Sequence, residues 1–425
     1  MSKKINLILQ QALEKIRPEK QDLELIENSL KDFLIKFKKE LKKNKIKAEP
    51  FVGGSFAKNT IVKKGKYDAD VFVRFDKKYP GKEISLLTKK ALKNFKSVST
   101  VHGSRDYFRI NLTTGFFIEI IPVKKISKPS EAENITDFSY SHVKYINKKV
   151  KSQKVLNEIL LAKSFCHANN CYGAESYING FSGYSLELLI YHYKSFLKFI
   201  KEVIKIKEKQ VIDIEKQYKN KRLVLMDINS SKLQSPIVLV DPTNKSRNVS
   251  AALSEETLEK FQKAGKEFLK NPSIKFFEKI KTDLEKIKNS AKKHKNQFIL
   301  LEAKTNKQEG DIAGSKLMKF YGHFTFEIEK LFEIKDKGFN YNDKKSARYF
   351  FVIKPKKQII LKGPFIKDKK NVARFKKAHK NIFKKAKHIY SKEKPIQDLK
   401  KFIELWKNKN KIKIKEMNIL DLKIC

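Results

Sequence analysis

Apolar positions across residues 6–45 recur at helical spacing, with Leu23, Ile26, Leu30, Phe33, Leu34 and Phe37 separated by Lys and Glu. That spacing predicts amphipathic helix, with Pro18 marking a break between two helices or the first turn of the second. The texture then changes to short β-branched and aromatic runs, AEPFVGG, DADVFVRF, YFRINL and FFIEIIPV, which predict strands. Strands among helices over about the first 140 residues predict an α/β head. Helical spacing returns from Val150 to Phe199, in NEILLAKSFCHANN and SLELLIYHYKSFLKFI on either side of a GFSGY turn. SPIVLVDP reads as a strand before a further helix near Ser254. Behind residue 257, HFTFEIEKLF and ARYFFVIKP are strand candidates, followed by a Lys-rich helical stretch from Asn371 to Lys387. The expected fold class is α/β (α+β), multidomain.

Composition sharpens this picture. The 425 residues carry 95 Lys plus Arg against 47 Asp plus Glu, a formal net charge of +48, while 40% of positions are apolar and 11% aromatic. Enough apolar residues are present to build cores, which excludes a disordered basic tail. Such charge on a foldable chain points to a polyanion, nucleic acid or an anionic membrane. Only 8 of the basic residues are Arg, and so strong a Lys preference also fits an A+T-rich genome. From Thr257 onward there are 46 basic and 19 acidic residues, about twice the net charge per residue of the preceding part. Cys166, Cys171 and Cys425 supply neither a disulfide framework nor a zinc spacing, which fits a reducing cytoplasm. The start of the chain lacks a signal-peptide core, and the best apolar run, Tyr184 to Ile190, is interrupted by Glu187 and too short for a bilayer. No membrane association is expected.

The candidate chemistry lies in Gly53-Gly54-Ser55-Phe56-Ala57-Lys58-Asn59-Thr60, followed by Asp68-Ala69-Asp70. Two Asp at i and i+2 on a strand share one face, so both carboxylates can reach the same divalent cation or a pair of them. A Gly-Gly-Ser turn feeding a helix can offer N–H groups and a hydroxyl to phosphates. Glu119, a charge inside FFIEIIPV, is a candidate third carboxylate, because an unpaired carboxylate in an apolar run is costly and should face a cation. Each feature alone is commonplace, since an Asp-X-Asp, a lone strand Glu and a Gly-Gly-Ser turn all have ordinary structural readings. Their order along the chain resembles the DNA polymerase β-like nucleotidyltransferases.

Two longer blocks, NCYGAESYINGFSGYSLELLIYHYKSF (170–196) and VDPTNKSRNVSAALS (240–254), resemble the central domain of archaeal-type, class I CCA-adding tRNA nucleotidyltransferases. The match runs in order over about residues 1–260, with a weaker one behind it that includes KGPFI at 362–366. This resemblance implies a polymerase β-like head with a mixed sheet (1–141), a helical central nucleotide-recognition domain (142–256) and an α+β tRNA-binding body and tail (257–425). It implies template-independent addition of CCA to the 3′ end of tRNA from CTP and ATP, with two Mg²⁺ ions held by Asp68, Asp70 and Glu119. Gly54, Ser55, Lys58, Ser139, His142, Lys163 and Tyr172 would then meet the triphosphate, and Arg247 would help read the incoming base. The implied partners are the tRNA acceptor stem and 3′ end, and the family admits a homodimer. Lys58-Asn59 stands where the family usually has Arg-Gly, and Glu119 where it has Asp. Competing readings are another polymerase β-like transferase of the poly(A) polymerase or oligoadenylate synthase type, and a noncatalytic RNA-binding relative.

Overall fold

The apolar stripe of the second helix, Ile26, Leu30, Phe33, Phe37 and Leu41, lies against a five-stranded sheet and closes the core of the head. The computed structural model describes residues 2–63, 65–113, 115–279, 282–393 and 396–425. Helix α1 (Ser2–Ile16) and helix α2 (Lys20–Lys43) flank Pro18. They are followed by β1 (Ala48–Val52), the short α3 (Gly54–Ala57), β2 (Tyr67–Phe75), α4 (Glu83–Ala91), β3 (Val98–Val101), β4 (Tyr107–Thr113) and β5 (Phe116–Lys124). The sheet order is β1-β2-β5-β4-β3, with β2 and β5 parallel and the other neighbours antiparallel. This is the expected mixed sheet, and the four strand-like runs of the head became β1, β2, β4 and β5. Helix α4 and strand β3 had not been singled out from sequence.

Alternation along β2 and β5 decides which residues become available for chemistry. Tyr67, Ala69, Val71, Val73 and Phe75 of β2 are buried, as are Phe116, Ile118 and Ile120 of β5. Period two therefore leaves Asp68, Asp70 and Glu119 on the opposite, half-buried face.

Helices α5 (Ser139–Lys149), α6 (Gln153–Ala168), α7 (Gly183–Tyr193) and α8 (Phe196–Val203) build a second core around Phe165, Phe181, Phe196 and Phe199. Strand β6 (Gln210–Ile212), helix α9 (Lys221–Asp227), β7 (Ile237–Asp241), β8 (Asn244–Asn248) and helix α10 (Glu255–Lys270) complete this part. Helix α1 contributes Ile5, Leu9, Ala12 and Ile16 to this second core, so the amino-terminal helix packs with the central helices. Helix α10 contributes Leu258, Phe261 and Phe268 to it as well. The chain divides into two compact units at 280/281, whereas the shift in composition falls near 257. Burial of the α10 stripe accounts for that difference.

The second unit contains α11 (Leu284–Lys293), β9 (Gln297–Lys304), α12 (Asp311–Leu331), β10 (Phe332–Tyr341), β11 (Ser346–Pro355), β12 (Ile359–Phe365), α13 (Lys369–Ala378), β13 (Ile382–Lys385), β14 (His388–Glu393), α14 (Leu399–Lys409), α15 (Lys411–Glu416) and β15 (Asp421–Ile424). A β10-β11-β9-β15 sheet and a smaller β12-β14-β13 sheet organise it. HFTFEIEKLF, expected as a strand, is the end of helix α12. Leu317, Phe320, Phe324 and Ile328 form one buried stripe, and Phe324 meets Trp406 at a ring distance of 4.9 Å. Tertiary burial of a 3.6-residue period thus overrides the β preference of the aromatics. The Lys-rich stretch is helical only to Ala378, and Ile382–Lys385 pairs with β14 instead. Among the described residues no helix is long and apolar enough to cross a membrane.

Candidate active site

The β2–β5 register sets Asp70 directly opposite Glu119, with Asp68 opposite Phe117. Gly53, at the end of β1, donates its N–H to the Asp70 carbonyl at 2.8 Å. A Cβ on Gly53 would come within 2.4 Å of the Phe72 ring, and one on Gly54 within 1.7 Å of Asp70 Oδ2. Gly54 also has φ +61°, a conformation costly for a side chain. The double glycine is therefore what brings the turn carrying Ser55 against the Asp70 carboxylate.

Three carboxylates on one face, two of them direct neighbours, form a hard oxygen donor set suited to Mg²⁺ or a similar dication. Among the described residues, however, no group of three or more His, Cys, Asp or Glu is gathered so that it could hold an ion as it stands. Glu119 accepts a hydrogen bond from Arg109 at 2.7 Å on Oε1. The charge in the apolar run does face a cation, and that cation is a guanidinium. The donor chemistry fits a divalent metal, with Glu119 shared with Arg109.

Lys58 and Lys163 converge on Glu187. Glu187 is fully buried in α7, and its Oε2 accepts from Lys58 at 2.7 Å while Oε1 accepts from Lys163 and Thr60, both at 2.8 Å. Lys163 also donates to Thr60 Oγ1 at 2.8 Å. Burial opposes ionisation of Glu187, but the Lys163 and Lys58 ammonium groups outweigh it and hold the carboxyl down at about 2. One carboxylate thus serves two ammonium groups, leaving one net positive charge beside the Gly183 end of α7. A Cβ on Gly183 would lie 3.0 Å from the Tyr172 hydroxyl and 3.8 Å from Lys163 Nζ, so these groups share a small space. Burial, with Glu187 and Asp68 near, holds the Tyr172 phenol well above its ordinary value, so it stays a donor.

A second buried hub centres on Asp241 at the end of β7. His142 Nε2 lies 3.0 Å from Oδ2, Arg247 donates to the same oxygen at 2.5 Å, and Thr243 donates to Oδ1 from both N–H and Oγ1 at 2.8 Å. Burial disfavours the Asp241 charge, yet His142 and Arg247 hold this carboxyl well below the usual carboxylate range. Burial also lowers the His142 imidazole, which stacks on Tyr184 at 4.0 Å. Ser139 starts α5, one turn before His142. Arg247, whose Nε is buried without a hydrogen-bond partner, lines a cleft of about 600 Å³ together with Phe138, Ser182, Asn244 and Asn248. Asp68, Asp70 and Glu119 are not among the residues that line that cleft.

Sequence reasoning passed over Arg109, Glu187 and Asp241 as site residues. Each left a trace: a charge inside YFRINL, a charge inside LELLI, and an acid closing the apolar run PIVLV.

A family model described as tRNA nucleotidyltransferase, second domain, matches residues 157–278. The CCA-adding enzyme of Nanoarchaeum equitans is 41% identical over 242 residues, covering 57% of this chain and 59% of that one. The CCA-adding enzyme of Methanocaldococcus jannaschii is 29% identical over 391 residues, covering 89% of this chain and 85% of that one. The match to the first of these therefore spans only about three fifths of that relative's length. A solved structure of a cytoplasmic RNA terminal U-transferase superposes with a TM-score of 0.51 at 13% identity, covering 66% of this chain and 100% of that one. That likeness shows a shared fold and nothing beyond it. Nucleotidyltransferases of this fold generally use divalent metal ions.

Proposed function

We propose that the chain, which belongs to the archaeal-type CCA-adding tRNA nucleotidyltransferases of the polymerase β-like superfamily, adds C, C and A to the 3′ end of tRNA from CTP and ATP. The addition uses no nucleic-acid template, releases pyrophosphate and takes place in the cytoplasm. The observation that carries this reading is the face shared by Asp68, Asp70 and Glu119, with Asp70 and Glu119 in register and Asp70 against the Gly54–Ser55 turn.

Asp68, Asp70 and Glu119 would hold the metal, two Mg²⁺ ions in this reading. Bound there, the cations would lower the pKa of the attacking 3′-hydroxyl and neutralise charge developing on the triphosphate. The Gly54–Ser55 turn offers N–H and hydroxyl donors to the phosphates. Lys58 and Lys163 supply the surplus positive charge of the Glu187 cluster, Tyr172 a phenol donor, and Ser139 and His142 the face at the start of α5. These contributions orient the triphosphate and take no part in bond making. Burial lowers the His142 imidazole against the pull of Asp241, which favours a hydrogen-bonding role for it. Arg247, tethered through one nitrogen to Asp241, would use its remaining donors on the edge of the incoming base.

Supplying nucleotides singly tests the reading. With tRNA lacking CCA, CTP alone should add two residues, and CTP with ATP should add three and stop. An open-ended A tract would favour a poly(A) polymerase instead, and no pyrophosphate release with any nucleotide would favour a noncatalytic RNA-binding protein. In the same assay Arg247→Ala should lower discrimination between CTP and ATP by about tenfold or more, the scale of one lost pair of base contacts. Unchanged selectivity would remove its proposed role.

Residues 281–425 carry 40 basic and 16 acidic residues. Deleting them should weaken tRNA binding by at least about tenfold and flatten its dependence on salt, because fewer counterions are released per complex. The deletion belongs at 280/281, since a cut near 257 would strip the α10 stripe from the core of the first unit. An unchanged salt slope would mean that the phosphate contacts lie elsewhere.

A further inference from the structure

One line of side chains, Asp70, Glu119 and Arg109, crosses three neighbouring strands of the head sheet. Glu119 of β5 stands opposite Asp70 of β2 on one side and opposite Arg109 of β4 on the other. All three lie on the half-buried face, since their strand neighbours Ala69, Val71, Phe108, Ile110, Ile118 and Ile120 are buried. Arg109 donates to Glu119 Oε1 at 2.7 Å, and its guanidinium carbon sits 4.4 Å from the centre of the Phe117 ring. Its Nε is buried without a hydrogen-bond partner. The guanidinium is therefore placed by the ring beneath it and engages one oxygen of one carboxylate.

Two carboxylates directly opposite on adjacent strands repel, and a counter-charge beside Glu119 relieves that repulsion. Arg109 supplies one, on the same carboxylate that the metal would use. Its side chain is 40% exposed and that of Glu119 19%, so solvent screens the pair and keeps it exchangeable. We propose that Arg109 is a positioning residue that occupies Glu119 as an internal counter-ion and competes with the divalent cation for it. The third carboxylate of the site is then conditional: it joins Asp68 and Asp70 as the ion displaces the guanidinium. This inference rests on the reading of Asp68 and Asp70 as metal ligands.

The test is Mn²⁺ binding to the full chain without tRNA or nucleotide, followed by electron paramagnetic resonance of the free ion. Arg109→Ala should bind Mn²⁺ about two- to fivefold more tightly, the gain from removing one screened competitor. Arg109→Lys, which restores a cation, should return affinity toward that of the unmodified chain. Glu119→Gln should bind more weakly, and adding Arg109→Ala to it should bring no gain. Unchanged or weaker binding by a folded Arg109→Ala chain would overturn the proposal, whether or not its melting temperature falls. If that variant does not fold, Arg109→Gln, which keeps most of the side-chain volume over Phe117, answers the same question. Asp70→Asn separates the two levels of the argument: Mn²⁺ affinity unaffected by that change would sink the metal site itself. Weakened affinity in Asp70→Asn with no gain in the Arg109 variants would sink only the competition.

Discussion

Replacing Asp70 by Ala is expected to lower incorporation of labelled CTP into tRNA lacking CCA by about a thousandfold or more, while tRNA binding changes by less than about twofold. The size follows from position. Asp70 is flanked by Glu119 in the sheet and lies against the Gly54–Ser55 turn, so it borders both the proposed metal face and the proposed phosphate turn. A metal ligand there stabilises charge that develops in the transition state, a contribution of several kcal/mol, and each 1.4 kcal/mol is a factor of ten in rate. In the proposed function the tRNA body would be bound by basic residues elsewhere, so removing a carboxylate from the head should not weaken that binding. Single-turnover rates with tRNA affinity measured in parallel would check the expectation. A variant that retains near-normal turnover would show that Asp70 is not a metal ligand.

Glu187→Ala is expected to cost about 3–5 kcal/mol of stability, because it leaves two buried ammonium groups without their shared carboxylate. Lys58, Lys163 and Glu187 join the loop after α3 to helices α6 and α7, so the loss should also loosen the packing of the head on the central helices. Urea unfolding of the two proteins would measure it, and a cost below about 1 kcal/mol would show that the cluster does not hold these elements together. The triple change Lys58→Met, Lys163→Met, Glu187→Leu should recover much of the stability, since apolar groups of similar volume can replace a buried ion cluster. It should not recover nucleotide addition if the lysines orient the triphosphate. The same carboxyl gives a pH signature. Its pKa in the fold is held down at about 2, against an ordinary value of 4.5. The stability it contributes is fully present above about 4.5 and is lost as pH falls from there toward 2. Glu187→Gln should lack that part of the acid slope.

The carboxylates were legible because their signal is local. Asp68 and Asp70 lie two residues apart on one strand, and period two puts them on one face whatever the sheet does around them. Glu119 stood out because a charge in FFIEIIPV demands a partner, but the identity of that partner was not legible. Arg109 is ten residues away across a hairpin whose register had to be built first. The ion partners of Lys58 and His142 lie 129 and 99 residues away, Glu187 and Asp241, and nothing in the intervening chain announces either pairing. By themselves Lys163 and His142 looked like ordinary surface residues; burial of α6 on most of its circumference, and of Asp241 at the end of β7, gave both charged partners instead. In HFTFEIEKLF the aromatics suggested a strand, and the stripe that makes it a helix starts upstream at Leu317.

By itself the amino-acid sequence determined the two leading helices and strands β1, β2, β4 and β5 of the head, the shared face of Asp68 and Asp70, the demand of Glu119 for a cation, and the excess of positive charge behind residue 257. These follow from periodicity, covalent spacing and the cost of an unpaired charge, all of which act over a few residues. Only the tertiary structure decided that Glu119 meets Arg109, that Lys58 and Lys163 share Glu187, that His142 joins the local Arg247–Asp241 pair, and that the first compact unit runs on to 280. Those outcomes depend on closing long loops and on which face each buried element presents, and short-range spacing does not encode either.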